Sequence, residues 1–343
     1  MKIRHDIHNH SLWSSCCYDP EATVNAFAHR AKELGHTVFG ISNHLWDEKV
    51  PGASNWYRQQ MINYGLEGAR AAMPMIPGIR LMVGTETEYC GMTDTLGMLA
   101  ETAKKFDYVL VPHTHIHMKN FVIPEMDDVK AKRKELVAKI LDSMPDFTPA
   151  QAEKMVRAFS NGDIENLIGE RHVDVVGYNA DFMYRSFISL MNNAEFKKLA
   201  VTVPTSVAHT FLPCGFSKEM CKTLIEAVSD EKYLECFDLA CKLGVGIEVN
   251  TGAFKMPEND FADDAMIRVM KLAKKPASAL HSARIHILLR VLTRYAWATV
   301  SPSFAVSKRT TLWISSDKRA VRRKAQRAAA HRAAARWAFF TDQ

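Results

Sequence analysis

Alternating strand-like and helix-like segments predict an α/β protein whose core is a parallel β-sheet. Apolar strand-like runs stand at TVFGIS (37–42), IRLMVG (79–84), FDYVLVPH (106–113) and VGIEVN (245–250), with helical stretches between them. No GxGxxG or GxxxxGK(S/T) segment follows any of these runs, which argues against a nucleotide-binding doubly wound sheet. At 343 residues the chain has the length of a single α/β barrel.

Each strand-like run is followed by a segment of helical character. KIRHDIHNH begins with a short strand that ends near His8, and DPEATVNAFAHRAKELG predicts a helix that Asp19 caps, with Pro20 in its first turn and Gly35 at its stop. The expected elements after the strand at 106–113 are helices at about 127–144 and 149–160, a strand HVDVVG (172–177), a weaker strand leading to His209, helices near 217–228 and 231–243, the strand at 245–250 and a helix near 262–274.

Composition excludes several classes of protein. Hydrophobic residues make up 47% of the chain, which is enough for a large buried core. No run of about 18 apolar residues predicts a membrane span, and MKIRHDIHNH lacks the apolar centre of a signal peptide. The 7 cysteines are odd in number and form no CxxC pair, which favours reduced thiols in a cytoplasmic protein over a disulfide framework.

Charge is distributed unevenly along the chain. Residues 276–343 hold 13 Lys and Arg against two acids, Asp317 and Asp342, so this tail carries +11 and the first 275 residues carry −5. All 16 glycines lie before residue 276. We therefore divide the chain into a barrel body, 1–275, and an atypical basic Ala/Arg-rich tail, 276–343. A helix formed by KRAVRRKAQRAAAHRAAAR could touch nucleic acid or an anionic membrane, but it lacks the interleaved aromatics of a single-strand binder.

Side chains of the kind that bind metals stand at or just past the carboxyl ends of the expected strands. The set is His8, His10, His44, Glu86, His115 and His209. Because the carboxyl ends of parallel strands converge on one face of a barrel, these side chains are expected to meet there. Imidazole suits Zn, Mn or Fe, and a carboxylate can bridge two ions. The HxH spacing of His8 and His10 turns both rings to the same side of a strand, so both can bind one ion.

Taken singly, each of these residues also has a structural explanation. An HxH pair on a strand is often a surface pair, His44 could be a loop histidine and Glu86 could begin a helix. His113, His115 and His117 alternate, so at most one or two of them can face the site. Residues of the kinds that bind metals stand at five separate strand ends. A single metal site explains all of them, whereas the structural explanations need a separate reason for each.

Several segments resemble the PHP (polymerase and histidinol phosphatase) family. DIHNHSLWS resembles its opening DxHxHT/S motif, and GTETEY resembles its G-x-E motif. GISNH resembles the second motif, which commonly ends T-D-H, with Asn43 in place of Asp. DYVLVPHTHIHM resembles the strand with the next histidine, SVAHTFLPCG the AHP motif with Thr210 in place of Pro, and GIEVNTGAF the E-x-N-(T/S) segment. The similar segments run in family order from residue 5 to about 254.

The resemblance implies a distorted (βα)7 TIM-like barrel and a metal-dependent phosphoesterase with two or three divalent ions of Zn, Mn or Fe. It implies that His8, His10 and Glu86 hold the first ion and that Glu86 bridges to a second ion, held with His115 and His209. His44 would belong to the third ion. Glu86 and His44 are the residues expected to act in catalysis. Five further residues are expected either to support the ligands from behind or to have a role that stays open. They are Asp6, Asn43, His113, Cys16 and Cys17.

Two departures from the family pattern concern the third ion and the last motif. Some members carry another His or Asp after the first motif, where this chain has Ser15, Cys16 and Cys17. Either cysteine could bind a soft metal, and either could equally be a buried thiol. The family ends its site with G-S-D-x-H, which supplies an Asp to the first ion and a His to the third, and this chain has no such motif.

The genetic code offers an explanation for the missing motif. Read from the third base of each codon, Ser282 to Ile287 permits G-S-D-x-H, and Lys274 to Ala277 permits E-A-G. Our hypothesis is that the chain after about Lys274 is translated out of frame, which would also account for the lost glycines and acids. If the tail is native, His281 and His286 are candidates to complete the site.

The expected reaction is hydrolysis of a small phosphate monoester, with histidinol phosphate as one candidate by resemblance. An ion would lower the pKa of a bound water, and the hydroxide would attack phosphorus in line while the other ions stabilise the leaving alkoxide. One alternative is a phosphodiesterase or exonuclease acting on nucleotides, although the −5 body disfavours long nucleic acids. Another is a non-catalytic metal-binding barrel, because the last ligands are missing. No membrane partner is expected, and the oligomeric state stays open.

Overall fold

The computed structural model describes residues 5–250, 265–279 and 287–290, and its centre is a parallel sheet. The strands are β1 (His5–Asp6), β2 (Val38–His44), β3 (Arg80–Glu86), β4 (Tyr89–Cys90), β5 (Thr95–Leu96), β6 (Val109–Pro112), β7 (Thr205–Ala208), β8 (Gly246–Asn250) and β9 (Ile287–Arg290). The parallel sheet has the order β1-β2-β3-β6-β7-β8-β9, and β4 and β5 form a separate antiparallel pair. The predicted α/β class with a parallel sheet is confirmed.

The sheet is curled but open. Backbone ladders join neighbours from β1 to β9, and none joins β1 to β9 within the described residues. The curled α/β sheet is consistent with the predicted TIM-like barrel, but the described strands form a half-barrel and not a closed seven-strand barrel. The longest ladder pairs β2 with β3 over their full lengths, so His44 and Glu86 lie side by side as register partners.

Helices connect the strands of the parallel sheet. They are α1 (Val24–Glu33), α2 (Ala69–Ala71), α3 (Ala100–Ala103), α4 (Asp127–Ser143), α5 (Pro149–Arg157), α6 (Asn161–Ile168), α7 (Val175–Asn192), α8 (Ala194–Thr202), α9 (Lys218–Ala227), α10 (Asp230–Leu243) and α11 (Ala265–Ala279). A 3-10 turn, Tyr57–Gln59, and a π-helix, Asn63–Gly68, lie between β2 and β3. No helix in the described part of the chain is long and apolar enough to cross a membrane.

Two sequence predictions for individual elements are wrong because local capping differs from the expectation. HVDVVG (172–177) is not a strand: Asp174 accepts a hydrogen bond from the Gly177 amide at 2.7 Å, and α7 begins at Val175. The first helix is capped by Thr23 rather than Asp19, so Pro20 lies outside it. A side-chain cap satisfies backbone donors at a helix start, and here it overrides the apolar pattern that suggested a strand. The last strand of the sheet comes instead from Ile287–Arg290.

Tyr108 fixes the strands that carry the site. Its hydroxyl donates to the carbonyls of Ile7 and Ile41, which ties the chain after β1 to β2. Its ring fills the space beside Gly40 and Gly84, where any Cβ would overlap the tyrosine. Tyr108 is therefore a buried aromatic residue whose hydroxyl also satisfies two backbone carbonyls, and these contacts hold β1, β2 and β3 in one arrangement.

The division between body and tail falls within described elements. Helix α11 runs across residue 275, and β9 pairs with β8 inside the segment assigned to the tail. The other tail predictions lie outside the described residues, including those on His281, on His286 and on the basic run that begins at residue 318.

Candidate metal centre

A fully buried carboxylate, Glu86, lies at the end of β3 and is surrounded in the described structure by the rings of five histidines: His8, His10, His44, His115 and His209. Its Oε2 is 3.0 Å from His8 Nε2, 3.1 Å from His10 Nε2 and 3.4 Å from His44 Nδ1. Its Oε1 is 3.4 Å from His209 Nε2 and 4.0 Å from His115 Nε2. The six residues that the sequence pattern singled out therefore meet at one point.

The topology explains this convergence. His8 and His10 follow β1, His44 ends β2 and Glu86 ends β3. His115 lies in the segment after β6, and His209 directly follows β7. His209 takes a left-handed backbone with φ of 48°, which turns the chain sharply at the strand end. Parallel strands point their carboxyl ends the same way, so residues distant in sequence share one edge of the sheet.

Hydrogen bonding alone does not satisfy this cluster. His8 places Nε2 and Nδ1 each 3.0 Å from a carboxylate oxygen, of Glu86 and of Glu248, so both contacts are hydrogen bonds only while His8 is an imidazolium. Within the described residues, Glu86 Oε1 and His44 Nδ1 make no hydrogen bond of good geometry although both atoms are buried. Buried polar atoms without partners are costly. A cation among them would satisfy the lone pairs that now face one another.

Two further buried carboxylates orient the histidines. Glu248 contacts His8 Nδ1, and its Oε2 accepts the backbone N–H of His209 at 2.6 Å. Glu88 Oε2 lies 2.7 Å from His115 Nδ1 and accepts a hydrogen bond of 2.9 Å from the Tyr57 hydroxyl. A carboxylate behind the far nitrogen of a histidine is the usual support for a metal ligand.

The protonation of the site follows from burial and charge. Burial opposes a charge on His8, but the carboxylates of Glu248 and Glu86 outweigh burial and raise its pKa to about 10. Burial would raise the pKa of Glu86, yet the imidazoles of His8 and His44 hold it well below its usual range. Burial lowers the pKa of His44 and of His209, despite the nearby carboxylates. Glu86 is thus an anion and His44 and His209 are neutral, the forms that bind cations, whereas His8 must release a proton before it can bind one.

Three groups of side chains have donor atoms close enough to hold an ion. In each group the donor atoms lie within 4.8 Å of one another. The groups are His8, Glu86 and His209; His10, Cys16 and His44; and His115, His209 and Cys214. His209 Nδ1 contacts the side chain of Asn250 at 3.2 Å, which leaves Nε2 as its donor, so His209 can serve only one of its two groups at a time.

The residues whose part was left open take different positions. Asp6 is buried and accepts hydrogen bonds from the His8 amide at 3.2 Å and from Asn9 Nδ2 at 3.0 Å. Asn43 holds the loop after β1 through the amide of Ser11 at 2.8 Å. Both residues position the loop that carries His8 and His10.

Of the three alternating histidines, His115 alone lies against Glu86 in the described structure. His113 is buried edge-on against Phe187 and Phe211, and its Nε2 accepts the Phe211 amide at 3.2 Å. His117 is exposed. Cys16 joins a donor group and Cys17 joins none in the described structure.

Sequence reasoning did not single out Glu88, Glu248, Asn250, Tyr57 or Cys214. A signal existed for Glu248 and Glu88: Glu248 is the one charge in the apolar run VGIEVN, and Glu88 follows Glu86 by two residues in GTETEY. A charge on a buried strand requires a partner, and that rule could have found both. Cys214 carried no such signal, because it lies in a loop five residues after His209 and cysteines are common in cores.

No protein-family model matches the chain, and no curated protein matches it. Among solved structures, it is similar to a histidinol phosphate phosphatase from Lactococcus lactis subsp. lactis Il1403, solved in complex with zinc, L-histidinol and phosphate. The match has a TM-score of 0.40 and 12% sequence identity, and it covers 89% of this chain and 94% of that chain. This is a distant similarity at the level of the fold.

Proposed function

We propose that this protein is a metal-dependent phosphoesterase of the PHP type that hydrolyses a small phosphate monoester. One observation carries the proposal: a single buried carboxylate, Glu86, is approached by five imidazoles, His8, His10, His44, His115 and His209. Such a set brings five imidazoles to one carboxylate that has only two oxygens, and nitrogen and carboxylate donors together suit divalent transition metals.

The donor groups fit two or three ions of Zn, Mn or Fe. We assign His8, His10 and Glu86 to a first ion, and Glu86 with His115 and His209 to a second. His44 belongs to a third position. When bound, such ions lower the pKa of water to near neutrality and neutralise phosphate oxygens.

The chain's own residues hold this arrangement. Glu248 and Glu88 keep the Nε2 atoms of His8 and His115 turned toward Glu86. We assign His44 and Glu86 to catalysis because they are register partners and His44 Nδ1 lies 3.4 Å from Glu86 Oε2. Since burial lowers the pKa of His44, its imidazole is neutral and can coordinate an ion.

The substrate is expected to be small and phosphorylated, of the kind of histidinol phosphate. The body of the chain, residues 1–275, carries −5, so it lacks the positive charge that long nucleic acids require. A diester of nucleotide size is the second candidate. A metal-binding barrel without turnover is the third, because the chain has no G-S-D-x-H motif.

The test is a reconstitution assay on the full chain. The protein is stripped with a chelator, reloaded with Zn, Mn or Fe, and assayed with p-nitrophenyl phosphate and with bis(p-nitrophenyl) phosphate. Turnover of the monoester by the reloaded protein supports the proposal, whereas faster turnover of the diester favours the phosphodiesterase. Bound metal without turnover of either substrate contradicts catalysis and favours the non-catalytic barrel.

Variants connect the activity to the site. Glu86→Gln and the double variant His8→Ala/His10→Ala should lose both metal and turnover while remaining folded. Glu235→Gln is the matched control, because Glu235 is an exposed carboxylate that accepts only a surface hydrogen bond from Tyr184 in the described contacts. Unchanged metal content in the His8/His10 variant would overturn the assignment.

A further inference from the structure

Two of the three donor groups contain a cysteine, and they lie on opposite flanks of the central carboxylate. Cys16 joins His10 and His44, whose rings contact Glu86 Oε2; like His209, His10 lies within reach of two ion positions and serves one at a time. Cys214 joins His115 and His209, whose rings face Glu86 Oε1. The central group of His8, Glu86 and His209 has no sulfur.

Each flanking group has the same composition of two imidazoles and one thiol. Each also adjoins a buried atom that makes no hydrogen bond of good geometry within the described residues: His44 Nδ1 on one flank and Glu86 Oε1 on the other. The two cysteines therefore complete groups in which other buried donors already point at a common centre.

A hydroxyl residue ties the Cys16 loop to its histidine. The Ser14 side chain accepts the backbone N–H of His44 at 3.4 Å and lies 3.3 Å from Cys16 Sγ. The end of β2 and the thiol are thus held by one side chain. Cys16 is exposed as a residue, so an ion can reach this position from solvent.

On the other flank, Thr114 links the segments that carry Cys214, His209 and His115. Its carbonyl accepts the amide of Cys214 at 3.1 Å, and its hydroxyl donates to the carbonyl of His209 at 2.9 Å. Thr114 also precedes His115 in the chain. The backbone segments that carry the three donors of this group are therefore linked through a single residue.

We propose that Cys16 and Cys214 are thiolate ligands of the two flanking ion positions, and that they make the site selective for a thiophilic ion such as Zn²⁺ over Mn²⁺. This inference rests on the proposed function, because it requires that ions bind around Glu86. Sulfur and imidazole together favour Zn²⁺ in a tetrahedral setting, whereas Mn²⁺ prefers oxygen ligands. Each thiol gives up its proton when the ion binds, so no other reactant is needed.

Cobalt substitution tests the ligands directly. The full chain is loaded with Co²⁺, and the visible d–d absorption is recorded together with the near-ultraviolet thiolate-to-cobalt charge-transfer band. The wild type should show both, Cys16→Ser and Cys214→Ser should each lose one contribution to the charge-transfer band, and the double variant should lose the band. Cys17→Ser and Cys221→Ser are matched controls, because neither cysteine belongs to a donor group in the described structure. Both controls should keep the band.

Competition between metals tests the selectivity. The wild type should take up Zn²⁺ in preference to Mn²⁺ from a mixture, and the Cys16→Ser/Cys214→Ser variant should lose much of that preference while still binding metal. If the wild type binds Co²⁺ with full d–d absorption but no charge-transfer band, the proposal that the cysteines are ligands is wrong. The proposed metal site around Glu86 is then still supported. If no Co²⁺ binds, the proposed function fails together with this inference.

Discussion

Glu248 holds two candidate ligands that lie on different strands. Its Oε1 is 3.0 Å from His8 Nδ1, although the two residues are 240 positions apart, and its Oε2 accepts the backbone N–H of His209 at 2.6 Å. Glu248 is fully buried at the centre of β8. The first and last thirds of the described body are therefore joined through one carboxylate directly behind the site.

We expect Glu248→Gln to weaken metal binding without unfolding the protein. Glutamine keeps the volume and one acceptor oxygen but loses the charge that orients His8, and loss of such a supporting group costs about 10–100-fold in metal affinity. A competition titration against a zinc chelator measures the affinity, and Glu235→Gln serves as the surface control. Equal affinities in wild type and Glu248→Gln would contradict the role given to Glu248.

Glu88 is expected to act on one flank of the site only. Glu88→Gln should reduce the amount of the ion held by His115, because Glu88 Oε2 lies 2.7 Å from His115 Nδ1 and orients that ring. Tyr57→Phe removes a hydrogen bond to the same carboxylate and should have a smaller effect on metal content. Metal per chain, measured by inductively coupled plasma mass spectrometry, distinguishes the two. Equal losses from both variants would argue against the pairing of Glu88 with His115.

The sequence predicted well which side chains meet at the candidate site where topology alone brings them together. His44 and Glu86 end neighbouring parallel strands, so any parallel sheet in this order brings them together. The sequence could not choose among His113, His115 and His117, because the choice depends on how the segment after β6 bends away from the strand. Nor could the sequence show that α7 begins within HVDVVG. The apolar pattern of this segment is typical of a strand, but Asp174 caps the start of a helix there.

His115 and His117 form a matched pair for a test of that choice. His115→Ala should lower the metal content, because this ring faces Glu86, whereas His117→Ala should leave it unchanged, because the ring is exposed. His113→Ala should lower stability and spare metal content, since His113 packs between Phe187 and Phe211. Metal content and thermal unfolding, measured for all three variants, distinguish a histidine at the metal site from one that only packs in the core. A loss of metal in His117→Ala that exceeds the loss in His115→Ala would reverse the assignment.

Gly84 is expected to be essential for the packing of the strands that carry the site. A Cβ at residue 84 would overlap the ring of Tyr108, and overpacking of this kind costs about 1–3 kcal/mol in unfolding free energy. Gly84→Ala should therefore lower the midpoint of urea unfolding. Gly65→Ala is the control, because a Cβ at residue 65 has no neighbour within 4 Å. If both variants unfold at the same urea concentration, Tyr108 does not constrain β3 as described.

The origin of the basic tail is tested by the nucleotide sequence across codons 270–295. We expect the frame that starts at the third base of each codon to spell G-S-D-x-H over Ser282 to Ile287. The reason lies in the donors that the site has. The described residues supply nitrogen and sulfur donors and two supporting carboxylates, Glu88 and Glu248. A further Asp and a further His at the sheet edge would complete the coordination of the outer ions. The chain with the restored frame should then bind more metal and turn over phosphate monoester faster than the present chain. A shifted frame without G-S-D-x-H shows that the tail is native. The ions must in that case be held by the residues around Glu86, with His281 and His286 as the remaining nitrogen donors to test by substitution.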